Sequence, residues 1–353
     1  MSTCAMSTSW TPPEDPDRPN CPYSVGFRTV IQFHRAPLPF GGPRYGRKLR
    51  PYVYDNWLES VTQSEHVLAY PPLETAPPSQ HATAELVVSK TIAIGNARGA
   101  QLVSFTAIAK IYDALYYPFS SNIVSRPVDV VRNADVDYSR EAASYELCTQ
   151  YFGSWTFQLP ITSAGKAHQR PVRLVLIEYI DGSPISDLFV RNMSGPRADP
   201  HLDALHFDQE FRLKVIARIM EGIVRQRQVG LDQNDLAPRN VILSPTPQPP
   251  GTHSSTRITL IDYNVAHVDK WTKDGPQDMP LPPNPLEWFW DNNLSAFIGW
   301  TPLEWYIDPK TPQKWLLHRF GGEISSLYRP IEEDLEFSKT EEEWLAENPS
   351  EFD

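Results

Sequence analysis

The sequence predicts an α+β chain in two halves, strand-rich first and helix-rich second. Three observations predict it. ELVVSKTIAIG (85–95) and AQLVSFTAIAKIYD (100–113) are rich in Val, Ile, Thr and Phe, and a Gly-flanked Asn96-Ala97-Arg98 separates them in the manner of a hairpin. WTFQLPI (155–161) and VRLVLIEYI (172–180) read as a second strand pair, with a polar loop at 162–170. In residues 208–228, Leu213, Ile216, Ile219, Met220, Ile223 and Val224 fall on one face of a 3.6-residue period.

The remaining elements follow from local chemistry. YSREAASYELCTQYF (138–152) is dense in helix formers, with Ala142, Tyr145, Cys148 and Phe152 at helical spacing. Ser183 followed by Pro184 has the form of an N-cap and a first helical residue. Gly230 closes the long helix as a C-terminal glycine. NVILSP (240–245) and RITLIDY (257–263) are two short apolar strands, with a Pro- and Ser-rich surface insertion between them. Residues 1–22, rich in Ser, Thr, Pro and Asp, read as a disordered tail, and 331–353 as an acidic one in which 341–347 can form a short helix.

Bulk properties narrow the function. A chain of 353 residues is long enough for one large domain or for two lobes. No run of eighteen apolar residues spans a membrane, and the first residues lack the basic-then-apolar order of a secretory signal, so an intracellular, cytoplasmic location is expected. A net charge of −11 weighs against nucleic acid and anionic membrane as partners. The basic run FHRAPLPFGGPRYGRKLRP (33–51) reads as a solvated, poorly ordered segment. Cys4, Cys21 and Cys148 are too far apart for a disulfide framework or a metal pattern, and the nine histidines show no zinc spacing. Thirty-five prolines, about twice the usual share, imply many loops. Six tryptophans, Trp271, Trp288, Trp290, Trp300, Trp305 and Trp315, crowd the last third, where they are expected chiefly as core.

GLDQNDLAPRNVIL (230–243) carries the chemistry. Asp235 and Asn240 stand five apart between the long helix and the first short strand, and Asp262 ends the second strand. A hairpin brings Asn240 and Asp262 together as an amide and a carboxylate, a donor set suited to Mg²⁺, which takes oxygen ligands and keeps waters for phosphate. Asp235 is then placed to accept a proton from a hydroxyl or to orient it. Arg239 is a candidate partner for Asp235.

With Asp-x-x-x-x-Asn in DLAPRN and the Ile-Asp of LIDYNVA (260–266), the chain resembles the protein-kinase-like superfamily, and most of all fungal kinase-like proteins near the aminoglycoside and choline phosphotransferase branch. The resemblance runs from about residue 85 to 320. It implies a bilobal protein-kinase-like fold: an N-lobe of antiparallel sheet plus helix over 23–180, and a mainly helical C-lobe with a catalytic-loop hairpin over 181–330. It implies Lys110 in TAIAKIYD as the lysine that holds nucleotide phosphates, and Glu141 as its helix partner, with Glu146 as the fallback. The backbone around Glu178 to Ile180, in EYIDG, would hydrogen-bond adenine between the lobes. Asn240 and Asp262 would hold Mg²⁺, with ATP as the second cofactor.

The pattern departs from the family in four places. Gln233 stands where kinases usually have His, and the Asp-Phe-Gly triplet reads Asp262-Tyr263-Asn264, with Asn264 a residue that tolerates a left-handed backbone. No Ala-Pro-Glu follows, which favours a small-molecule hydroxyl acceptor over a protein. Fourth, two strands do not fit comfortably between Gly95–Gly99 and Lys110, which moves the expected phosphate loop upstream into PPLETAPPSQHATA (71–84), with Ser79 or Gln80 as donors. The expected function is ATP-dependent transfer of the γ-phosphoryl group. The alternatives are a pseudokinase scaffold and a protein Ser/Thr kinase.

Overall fold

The computed structural model describes residues 10–77, 82–95, 98–103, 107–121, 126–148, 151–192, 201–251, 256–292, 294–331 and 341–347. The chain divides into two compact units, Met1–Tyr179 with Trp271–Lys273, and Ile180–Lys270 with Asp274–Asp353. Together their elements make the α+β class expected from sequence: an antiparallel sheet with helices in the first unit, and a mainly helical second unit with a short hairpin.

In the first unit six antiparallel strands close into a barrel. They are β1 (Arg28–Phe33), β2 (Thr83–Gly95), β3 (Arg98–Val103), β4 (Ala107–Tyr112), β5 (Tyr151–Ser163) and β6 (Lys166–Glu178), in the order β1-β2-β3-β4-β6-β5. Closure leaves no sheet edge to cap, and Ile31, Leu86, Val88, Ala109, Ile111, Phe157, Val172 and Leu174 fill the interior. The polar run at 162–170 is mostly strand. Ser163 pairs with Lys166 across a two-residue turn whose Ala164 and Gly165 both have positive φ, as a tight hairpin turn requires. Residues 100–113, expected as one strand, are split between β3 and β4.

Between β4 and β5 runs α4 (Val130–Tyr145). It starts eight residues before the sequence expectation, where Asp129 caps the Arg132 N–H, and it stops before Phe152, which lies in β5. Between β1 and β2 lie α1 (Gly42–Tyr45), α2 (Asp55–Ser60) and α3 (Gln63–Ala69). The segment expected to be a disordered tail is held from Trp10 onward. Trp10 packs edge-on to Phe119, and the Asp15 carboxylate accepts from the Ser64 N–H at 2.9 Å.

The second unit is built on α5 (Gln209–Gln228), which buries Ile216, Ile219, Met220, Ile223 and Val224 of the expected face together with Val215, while Leu213 is half-buried. Gly230, at φ +77°, lets the chain turn out of it, with its N–H on the Arg227 carbonyl at 2.9 Å. The short elements β7 (Ser183–Pro184), β8 (Val190–Asn192), β9 (His201–Asp203), β10 (Leu231–Asp232), β11 (Val241–Ser244), β12 (Arg257–Leu260) and β13 (His267–Val268) form three small antiparallel sheets, of which β12-β11-β7 holds the expected hairpin. Ser183 and Pro184 form strand rather than a helix start, because the chain at Gly182 runs so close to β11 that a Cβ would lie 2.3 Å from the Leu243 carbonyl. Helices α6 (Pro285–Phe289), α7 (Lys310–Phe320) and α8 (Glu341–Glu347) complete the unit.

Of the six tryptophans expected chiefly as core, Trp290, Trp300 and Trp305 are buried in one cluster with the apolar face of α5 and Trp315 packs partly against it, whereas Trp271 is half-buried and Trp288 exposed; Trp344 also joins the cluster. Among the described residues no helix is long and apolar enough to cross a membrane.

Candidate functional site

The alternation of β4 places Lys110. Ala107, Ala109 and Ile111 point into the barrel, so Ile108, Lys110 and Tyr112 share the opposite face. On α4, Tyr138, Glu141 and Tyr145 recur at i, i+3 and i+7, and all three are buried. The two faces meet. Lys110 Nζ donates to Glu141 Oε1, and Tyr112 Oη donates to Glu141 Oε2. The Glu141 side chain is 0% exposed and that of Lys110 12%. A buried carboxylate needs such pairing, because leaving it alone in the interior costs several kcal/mol. Burial first, and the neighbouring Glu141 charge second, hold the Tyr112 phenol well above its ordinary range, so it remains a donor. Sequence reasoning missed Tyr112. The available signal was its position two residues beyond Lys110 in an alternating strand. Glu146, the fallback, lies just past the end of α4 as its C-cap.

Lys110 lies on the last strand of the consecutive antiparallel run β2-β3-β4. Two strands do separate the Gly95–Gly99 turn from Lys110, against the sequence expectation. β3 is only six residues long, and Lys110 is the fourth residue of β4, so two strand passages do fit after Gly95. Asn96 and Ala97 at that turn lie outside the described residues, as do Ser79 and Gln80 upstream. Just ahead of the upstream pair, Glu74 accepts from Arg173 at 2.8 Å and bonds His34 at 2.8 Å. Glu178 ends β6, in register with Ala107, and Ile180 opens the second unit; both are half-buried.

In the second unit the loop after β10 folds back on itself. The Asn240 amide nitrogen donates to the Asp235 carbonyl and to Asp235 Oδ2, each at 2.9 Å. Arg239 donates to both carboxylate oxygens, at 2.8 and 2.7 Å. Asn240 is buried, whereas the Asp235 side chain is 29% exposed. Asn240 and Asp262 do not face each other directly. Val241 pairs with Leu260, and the Ile261 N–H donates to the Asn240 carbonyl at 2.9 Å, so Asp262 lies one residue beyond the paired position. There the chain leaves the hairpin with Asp262 itself at φ +66°. The left-handed residue is therefore Asp262 and not Asn264, and Asp is one of the few side chains that accepts that backbone readily.

Gln233 ties the loop to the same spot, donating to the Ile261 carbonyl at 2.7 Å. Tyr263 is pinned to the Leu260 carbonyl at 3.0 Å and accepts from Gln226 at 2.6 Å.

The donor chemistry fits a hard cation. With its nitrogen committed to Asp235, the Asn240 side chain has an amide oxygen left to offer, and Asp262 adds a carboxylate. Among the described residues no group of three or more His, Cys, Asp or Glu side chains forms a metal cluster.

No family model matches the chain, and no curated protein matches it. Among solved structures the chain is similar to the kinase domain of Mycobacterium tuberculosis PknI, at 14% identity and a TM-score of 0.29, over 71% of this chain and 77% of that one.

Proposed function

We propose that the chain is a kinase-like phosphotransferase that binds ATP with Mg²⁺ and passes the γ-phosphoryl group to a hydroxyl of a small molecule. The carrying observation is the Asp235 loop, where Asn240 and Arg239 fix the carboxylate while part of it stays open to solvent. That is the form needed by a group that must meet an acceptor hydroxyl in one orientation. Lys110, held by Glu141, supports the reading as a fixed cation for phosphate oxygens. Asn240 and Asp262 would hold Mg²⁺, which would neutralise phosphate charge, while ATP would supply the γ-phosphoryl group. Glu178 and Ile180, where β6 gives way to the second unit, are the backbone positions proposed for adenine.

A second reading, a pseudokinase scaffold, draws on Arg239. Its guanidinium engages both oxygens of Asp235, which lowers the availability of that carboxylate as a proton acceptor.

The test is calorimetric titration of ATP, with and without Mg²⁺, into wild type, Lys110→Met and Asp262→Ala. Mg²⁺-dependent binding that is lost in both variants is the expected result, followed by a turnover screen over hydroxylated small molecules. Failure of folded wild type to bind ATP under either condition would overturn the phosphotransferase reading.

A further inference from the structure

The N-terminal segment does more than close the barrel. Residues 34–73 lie along α4 and bond to it at its cap and at Asp135, Tyr138 and Arg140. At the cap, His66 Nε2 bonds the Asp129 carboxylate at 3.1 Å. Further along, the Arg50 guanidinium pairs with Asp135, with side chains only 4% and 2% exposed, and the Leu73 N–H adds a bond to the same carboxylate at 3.0 Å. His34 Nδ1 bonds the Tyr138 hydroxyl at 2.7 Å. Beside Glu141, Arg140 donates to the Phe40 and Gly41 carbonyls at 3.1 and 2.6 Å and lies over the Tyr45 ring. The backbone at Gly41 approaches so closely that a Cβ there would sit 3.0 Å from Val136.

A helix held only at one end frays at the other. Here the contacts converge on the turn that carries Glu141, whose two oxygens are committed to Lys110 and Tyr112 on β4. We infer that residues 34–73 act as a built-in brace, with Arg50 and Arg140 as positioning residues that hold α4 in the one placement where Glu141 reaches Lys110. The brace belongs to this chain, so the pair is set without a partner protein. Only its consequence for nucleotide binding rests on the function proposed above. The pair itself is readable without nucleotide, so failure of one idea is distinguishable from failure of the other.

The readout is the acylation rate of Lys110 by an amine-reactive ester in the full chain, followed by peptide mass spectrometry, with exposed Lys90 as the internal reference. A lysine paired to a buried carboxylate reacts slowly, and Glu141→Gln sets the rate for a broken pair. Arg50→Ala alone would strand a buried charge and risk the fold, so the charges are removed together as Arg50→Met/Asp135→Leu, and Arg140→Met is made separately. Variants with a cooperative melt are expected to acylate Lys110 at least fivefold faster than wild type, with Lys90 unchanged. A rate within twofold of wild type in both folded variants would overturn the brace. Loss of the cooperative melt in both would also overturn it, because the contacts would then serve general stability and not placement.

Discussion

Lys110 and Glu141, 31 positions apart, form an ion pair whose carboxylate is wholly shut from water while its ammonium keeps a narrow opening. The asymmetry has an energetic consequence. Lys110→Met takes the cation from a buried carboxylate, and breaking a buried pair from one side costs about 3–5 kcal/mol. Lys110→Met/Glu141→Leu removes the stranded charge and is expected to recover most of that loss. Urea unfolding of the two variants measures it; a single variant within 1 kcal/mol of wild type would show that Tyr112 and its neighbours carry the carboxylate without the lysine.

Asp235 separates binding from turnover. Asp235→Asn keeps the size of the side chain and an oxygen for Arg239 and Asn240, so the loop should stay folded and Mg²⁺-ATP affinity should stay within about threefold. The proton acceptor is lost, and turnover should fall by about 10²–10⁴-fold. Arg239→Ala reports on the rival reading. The pair is open to solvent on the arginine side, at 61% exposure, so stability should change by less than about 1 kcal/mol. Turnover that rises in this variant favours a restrained base; turnover that falls favours Arg239 as a fixing group.

Acid should act through His34. Burial first, then the Arg173 cation, lower it from 6.5 to about 4, against the pull of Glu74, while Tyr138 occupies its other nitrogen. Between about pH 4 and 6.5 the folded state binds fewer protons here than the unfolded chain, so this contribution is full above 6.5 and is lost as pH falls. Asp135 runs the other way. Burial first raises it from 3.8 to about 6, with Arg50 opposing, so the folded state keeps a proton the unfolded chain releases and gains stability as pH falls from 6 toward 4. The two slopes offset. His34→Gln removes only the first, so on acidification the variant should gain on wild type by up to about 1.4 kcal/mol per pH unit. Melting temperatures at pH 4, 5, 6 and 7 check it, and parallel profiles for the two proteins would contradict it.

What was legible in the sequence was local. Strand alternation puts Lys110 on one face of β4, helical spacing exposes the apolar stripe of α5, and the order of Asp235, Asn240 and Asp262 marks the loop. The N-terminal segment was not legible, because its partners are remote. Arg50 reads as one more charge in a basic run, yet it is buried against Asp135, 85 positions away. Arg140 looks like a solvent-facing helix charge and instead satisfies two backbone carbonyls 100 and 99 positions back. Periodicity carries no information about such pairs. The left-handed backbone at Asp262 was not legible either, because the sequence shows which residues tolerate it, Asn264 among them, but not where β12 releases the chain.

The tryptophans of the second unit invite a carbohydrate or cation site, and the structure separates the candidates. Trp300 is 0% exposed; its indole N–H donates to the Arg212 carbonyl at 3.1 Å while the Arg212 guanidinium returns a bond to the Trp300 carbonyl. Phe189, Phe207 and Phe211 surround the ring. Trp300→Ala therefore opens a cavity and removes the indole bond to the Arg212 carbonyl, at a cost of about 3–5 kcal/mol. Trp288 contrasts with it, lying 39% exposed with the Arg227 guanidinium 4.3 Å from its ring. Trp288→Ala forfeits mainly that cation–π contact, about 0.5–1 kcal/mol at an exposed site. Denaturant midpoints of the two variants should differ accordingly. Equal, small losses would mean that the Trp300 pocket collapses without penalty, and the ring would then be free for a role other than packing.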